Sequence, residues 1–140
     1  MQSTLTHIAM HVRDLEACVA FYERFCGMKV VHERPGKDLG ARIVWMSEPG
    51  KEDSFIFVLL PGGPGRVKQA GDFSHLGFAM ESKAAVDAKA EEGRAAGCLI
   101  LEPRQDEYPA GYYCGLEDPD GTIVEFSYGQ PLGPGAGESG

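Results

Sequence analysis

One pattern of elements occurs twice along this chain, and that repetition restricts its fold more than any other feature. Residues 5 to 12 alternate, with Ile8, Met10 and Val12 on one face of an expected strand and His7, Ala9 and His11 on the other. Asp14 is placed to cap a helix over Leu15 to Cys26, and Gly27 to end it in a left-handed conformation. Strand-like runs follow at Met28 to Glu33, Ala41 to Ser47 and Ser54 to Leu60, separated by the turn-rich "RPGKDLG" and "EPGKED". After "PGGPG" the order returns. A strand over Phe73 to Met80 precedes Ser82, a second capping residue, and a helix running to about Ala96 and stopped by Gly97. Strands are then expected at Cys98 to Glu102, Gly111 to Leu116 and Thr122 to Tyr128. Gly93 lies inside the second helix and is expected to weaken it by about 1 kcal/mol relative to alanine. The reading is an α+β protein of two βαβββ modules, residues 1–60 and 73–128, with a linker at 61–72. A disordered tail is expected at 129–140, "GQPLGPGAGESG", which has almost nothing apolar to bury.

Composition narrows the function classes. A formal charge of -8 argues against nucleic acid or an anionic membrane surface as a partner. No apolar run approaches the roughly 20 residues that span a bilayer. Residues Met1 to Thr4 show neither the basic nor the apolar region of a signal peptide. The four cysteines, Cys18, Cys26, Cys98 and Cys114, form no CxxC and no zinc-finger spacing; they read as small hydrophobes of a cytoplasmic protein.

Strand parity gathers the chemistry-bearing residues. His7 and His75 occupy equivalent positions on the first strand of each module. In the last strand Ile123, Glu125 and Ser127 share a face opposite Val124, Phe126 and Tyr128. A carboxylate within "TIVEFSY" is costly to bury unless paired or metal-bound. With the helices covering the fully apolar faces, His7, His75 and Glu125 point to the other side of a curled sheet, where Ala9, Gly77 and Ala79 leave room for a ligand. Two imidazoles and a carboxylate suit a divalent metal with open positions for Lewis-acid work. His11 shares the face of His7, but four residues of strand is roughly 13 Å, so it reads as a rim or supporting residue. Trp45, Phe55, Phe57 and Tyr113 are candidates for an apolar substrate pocket, with core packing the alternative. Arg42 and Arg104 are candidates for a substrate carboxylate, with solvated surface the alternative.

These residues also carry a family resemblance. "THIAMHVRDLEACVAFYERFCGMKVV", with "FY" followed by "GM", resembles the first strand and helix of the vicinal oxygen chelate superfamily; "FSHLGFAM" and "LEDPDGTIVEF" resemble the start and closing hairpin of its second module. That superfamily holds glyoxalase I, fosfomycin-resistance proteins, extradiol dioxygenases and metal-free bleomycin-resistance proteins. The resemblance covers about residues 5 to 128 and implies a glyoxalase-like fold curled around a metal cleft. Its ligand positions fall on His7, His75 and Glu125, for a divalent ion that is Ni, Zn, Mn, Fe or Co. The spacing from His75 to Glu125, carried over to His7, marks Phe57 as the place of a fourth ligand, filled by an aromatic residue.

Among subfamilies, the extradiol dioxygenases resemble the chain less, because Gly115 stands where their tyrosine would be and no histidine follows His75. The fosfomycin-resistance thiol transferases have a cationic clamp, whereas no Lys or Arg here follows Arg104. A metal-free drug-binding protein would have no use for three intact ligand positions. The resemblance therefore implies a metal-dependent, glyoxalase-like lyase or isomerase acting on a small oxygen-chelating substrate. Glu125 would be its general base, and the protein a homodimer.

Overall fold

The computed structural model describes residues 2–36, 41–67, 69–133 and 136. The chain divides into two compact units, Met1–Val67 and Lys68–Gly140. In the first, β1 (His7–His11) and α1 (Leu15–Cys26) lead into β2 (Lys29–Gly36), β3 (Ala41–Ser47) and β4 (Ile56–Leu60). The second repeats this with β5 (His75–Ala79), α2 (Lys83–Ala96), β6 (Leu99–Gln105), β7 (Tyr112–Glu117) and β8 (Ile123–Tyr128). Each unit builds its own four-stranded mixed sheet, ordered β1-β4-β3-β2 and β5-β8-β7-β6, so the twin βαβββ reading is the observed α+β architecture. In both sheets the first strand pairs in parallel with the last and the remaining pairs are antiparallel.

The helices form where their capping chemistry sets them. The Asp14 carboxylate accepts from the Ala17 amide at 3.1 Å and the Ser82 hydroxyl from the Ala85 amide at 3.0 Å. Both helices end on a left-handed glycine, Gly27 at φ 64° and Gly97 at φ 77°. Gly93 has a packing reason that outweighs its poor propensity. A Cβ there would stand 2.8 Å from Cγ of Leu116, so glycine lets α2 lie close on β7.

Helix α1 buries Leu15, Cys18, Val19, Tyr22 and Phe25, and the Tyr22 ring meets Phe57 of β4 edge-on at 5.5 Å. In the second unit Val86 and Ala90 of α2 are buried, as are Cys114, Leu116, Val124 and Phe126 of the sheet. All four cysteines are free thiols; burial pushes Cys114 up to about 11. No helix among the described residues is long and apolar enough to cross a membrane. Of the expected tail, residues 129–133 and 136 are described, and Gln130 is hydrogen-bonded to Glu125 and Ala110; 134, 135 and 137–140 lie outside the described residues.

Candidate functional site

The second unit concentrates polar groups on the sheet face turned away from α2. Parallel pairing sets His75 beside Ile123 and Gly77 beside Glu125, so the imidazole and the carboxylate share this face two register steps apart. His75 Nε2 and Glu125 Oε1 stand 3.7 Å apart. The Nδ1–H of His75 donates to the Phe73 carbonyl at 2.6 Å, so Nε2 is the ring nitrogen that faces Glu125. Glu125 is held from its other side, where Gln130 Nε2 donates to Oε2 at 3.3 Å and to the Ala110 carbonyl at 3.0 Å. A Cβ on Gly77 would come within 3.5 Å of Oε2, so glycine keeps the space beside the carboxylate open.

Two steps along β7, Tyr113 lies on the same face, paired with Ser127 as Gly115 is with Glu125. Its hydroxyl donates to Asp106, which also binds Arg104 at 3.0 Å. The hydrogen bond to Asp106, then burial, raises the Tyr113 pKa; the same bond, followed by Arg104, lowers that of Asp106. Tyr113 is thus a half-buried polar residue tied into a Tyr–Asp–Arg chain, and Arg104 is engaged rather than free for a substrate carboxylate.

The first unit presents a different surface. His7 and Ala9 of β1 border a cavity of about 350 Å³ floored by Ile56, Val58 and Leu60 of β4, with Trp45 and Arg34 on its far side. His7 Nδ1 and the Thr6 hydroxyl are hydrogen-bonded at 3.0 Å, and Nε2 is the ring nitrogen that this bond leaves unengaged. Trp45 is 38% exposed and meets His32 edge-on. Phe57 is buried against Tyr22 on the helix side, and Phe55 packs on Phe57 at 6.1 Å; neither lines this cavity.

The register also corrects the place of the fourth ligand. His7 pairs with Ile56 and Ala9 with Val58, as His75 pairs with Ile123 and Gly77 with Glu125. The position equivalent to Glu125 is therefore Val58. Counting residues failed because the first unit is one residue longer between its first and last strands, and a one-residue slip moves a side chain to the opposite face. His11 acts locally, its Nε2–H donating to the Pro61 carbonyl at 3.0 Å and fastening the end of β1 to the turn after β4. Arg42 is held by Glu16 at 2.7 Å and by Glu33.

Three residues of these surfaces escaped the sequence reading. Arg34 did so because β2 carries a bulge between Val30 and His32, which reverses the alternation and brings His32 and Arg34 to the cavity side. Val58 was hidden by the one-residue offset, and Gln130 by the low-complexity composition around it.

The donor set fits a divalent ion. Two donors about 2.1 Å from one ion, at tetrahedral or octahedral angles, stand roughly 3.0–3.5 Å apart, so the 3.7 Å pair needs to close by only a few tenths of an ångström. Among the described residues no three His, Cys, Asp or Glu side chains cluster within either unit; His75 and Glu125 form a pair.

Residues 4–126 match the family described as the Glyoxalase/Bleomycin resistance protein/Dioxygenase superfamily. The chain is 62% identical over 136 residues to Uncharacterized protein PA2024 of Pseudomonas aeruginosa, covering 97% of this chain and 96% of that one. A possible glyoxalase from Bacillus cereus is similar in structure, with a TM-score of 0.68 at 25% identity, over 90% of this chain and 99% of that one. The fosfomycin resistance protein FosX from Listeria monocytogenes, solved with Mn(II) and sulfate, shares the fold at TM-score 0.68 and 20% identity, over 90% and 92% of the two chains.

Proposed function

Because the chain belongs to the Glyoxalase/Bleomycin resistance protein/Dioxygenase superfamily, we propose that it is a metal-dependent lyase or isomerase of the glyoxalase I type. The observation that carries this reading is the 3.7 Å approach of His75 Nε2 to Glu125 Oε1, with Nδ1 of the imidazole engaged by a backbone carbonyl. Backbone acceptors of this kind orient metal-binding histidines and raise their basicity. His7, His75 and Glu125 would hold the ion, one of Ni, Zn, Mn, Fe or Co. Bound there, a divalent cation supplies Lewis-acid polarisation of a substrate oxygen, which acidifies the neighbouring C–H.

The chain's own residues then handle the proton. Glu125 takes the carbon-bound proton and returns it to the adjacent carbon, while the hydroxyl proton passes to the neighbouring oxygen through solvent, so the isomerisation balances. Gln130 holds Oε2 while this happens. With Val58 in the equivalent slot of the first unit, Glu125 serves as both ligand and base. Free cysteines and the small cavity suit a cytoplasmic enzyme of small molecules, and the twin-module plan suits a homodimer.

The test is turnover of a panel of hemithioacetals, catechols, and fosfomycin with thiols, before and after chelation. Expected are hemithioacetal turnover that a chelator abolishes and metal restores, and a loss of roughly 10²–10⁴-fold in Glu125→Gln. Undiminished turnover in Glu125→Gln, or catechol cleavage or fosfomycin opening in its place, would overturn the reading.

A further inference from the structure

The cavity on the first sheet is apolar along its floor and cationic at its rim, and we propose that it binds an apolar carboxylate. The ligand is a small molecule with an aliphatic or aromatic body and a carboxylate gripped by Arg34. At about 350 Å³ the cavity has the size of a small-molecule site. Ile56, Val58 and Leu60 form its floor and Trp45 one wall, and none of its lining residues is acidic. An acid-free lining stands out in a chain with 21 acidic and 13 basic side chains.

Arg34 stands apart from the other arginines of the sheets. Arg42, on the neighbouring strand, is bound by Glu16 and Glu33, and Arg104 by Asp106. Arg34 has no carboxylate partner among the described residues, although Glu33 is its neighbour in sequence. The bulge in β2 points Glu33 toward Arg42's side and Arg34 over the cavity. A guanidinium that no carboxylate engages among the described residues, beside apolar surface, offers a planar anion two parallel hydrogen bonds. The indole of Trp45 and the aliphatic floor exclude water from the ligand's body, leaving the charged end at the rim.

His7 lies on β1 and Arg34 on β2, the two outer strands of the sheet, whose axes are roughly 14 Å apart. A ligand that touches both is elongated, with its reacting oxygens at the His7 end and its carboxylate at the other. That placement of the reacting end rests on the function proposed above; carboxylate recognition by Arg34 does not.

Trp45 is the single tryptophan of the chain, so its emission reports on this cavity alone. The experiment titrates full-length protein, with chelator and again with Mn(II), against 3-cyclohexylpropanoate and its uncharged primary amide. Expected are saturable changes in Trp45 emission and binding of the acid about tenfold tighter than the amide. Arg34→Gln should bring the acid to the affinity of the amide, while Arg42→Gln leaves the ratio unchanged. Equal affinities in the wild type, an unchanged ratio in Arg34→Gln, or no saturable response would overturn the proposal. So would emission that follows protein concentration alone, which would mark the face as covered by a second copy. Acid binding without hemithioacetal turnover would retire the proposed function and leave this site standing; turnover without acid preference would do the reverse.

Discussion

The two units share one topology and differ in what their open sheet faces carry. The second sets a histidine, a carboxylate and a Tyr–Asp–Arg chain on its face. The first sets a histidine at the border of an apolar cavity, with an arginine that no carboxylate engages among the described residues. The sharpest contrast is one register position, Glu125 in the second unit and Val58 in the first. Repetition of the backbone fixed where such residues stand, and substitution at equivalent points divided the surfaces into an ionic one and an apolar one. Backbone geometry and site chemistry are therefore separable here, and the separation is open to direct attack.

The largest effect is expected from erasing that contrast. Val58 is 9% exposed, among Ile43 and Ile56, and Val58→Glu would place a carboxylate there beside Ala9. Burying an unpaired carboxylate costs several kcal/mol. The variant should lose stability in urea by about 2–4 kcal/mol without metal and recover part of it when a divalent ion is added. Loss that metal does not reverse would mean that the two positions are equivalent in backbone only.

A smaller effect should come from Gln130. Gln130→Ala removes the bond to Glu125 Oε2 but leaves His75 and the sheet untouched. Supporting partners of metal-bound groups typically govern affinity by roughly 10–100-fold, and a 3.3 Å bond belongs at the low end, so metal affinity should fall by about tenfold. Thermal stability should change little. Wild-type metal affinity in Gln130→Ala would demote the residue to a tether for the Ala110 loop.

The units should be most alike in their surface clamps. Arg42 joins α1 to β2 through Glu16 and Glu33, and Arg94 joins α2 to β6 through Glu102. The hydrogen bond from Arg42 lowers the Glu16 pKa, and that from Arg94 lowers the Glu102 pKa. A carboxylate whose folded pKa is depressed stabilises the fold above its unfolded value near about 4.3 and loses that contribution as pH falls through the folded pKa. Stability measured by urea should thus be flat from about pH 7 to about 5 and decline below it. Both arginines are solvent-facing, so Arg42→Gln and Arg94→Gln should soften the acid decline by small and similar amounts. A large asymmetry between the two would break the comparison.

Much of this fold is legible in the sequence because its signals are local. Asp14 and Ser82 cap, Gly27 and Gly97 terminate, and alternation in β1, β5 and β8 gives the faces directly. The pairing of His75 with Glu125 follows from two such strands lying side by side. What stayed hidden depends on counting across irregularities. The bulge at Val31 reverses the parity that would have exposed Arg34, and one extra residue displaced the fourth slot from Val58 to Phe57. Gly93 looked like a weakness because the Leu116 side chain it accommodates is remote in sequence. Gln130 sits in a glycine- and proline-rich tail whose composition carries no trace of its long-range bond to Ala110.

Whether His7, His75 and Glu125 hold a metal ion decides the chemistry proposed for this chain. The most direct test is the metal content per chain, by elemental analysis, of protein purified without chelator, set beside His7→Ala, His75→Ala and Glu125→Gln. One divalent ion per chain in the wild type, with marked loss in each variant, is the predicted result. Absence of metal from wild-type protein reloaded with each candidate ion, or equal content in all four proteins, would contradict it.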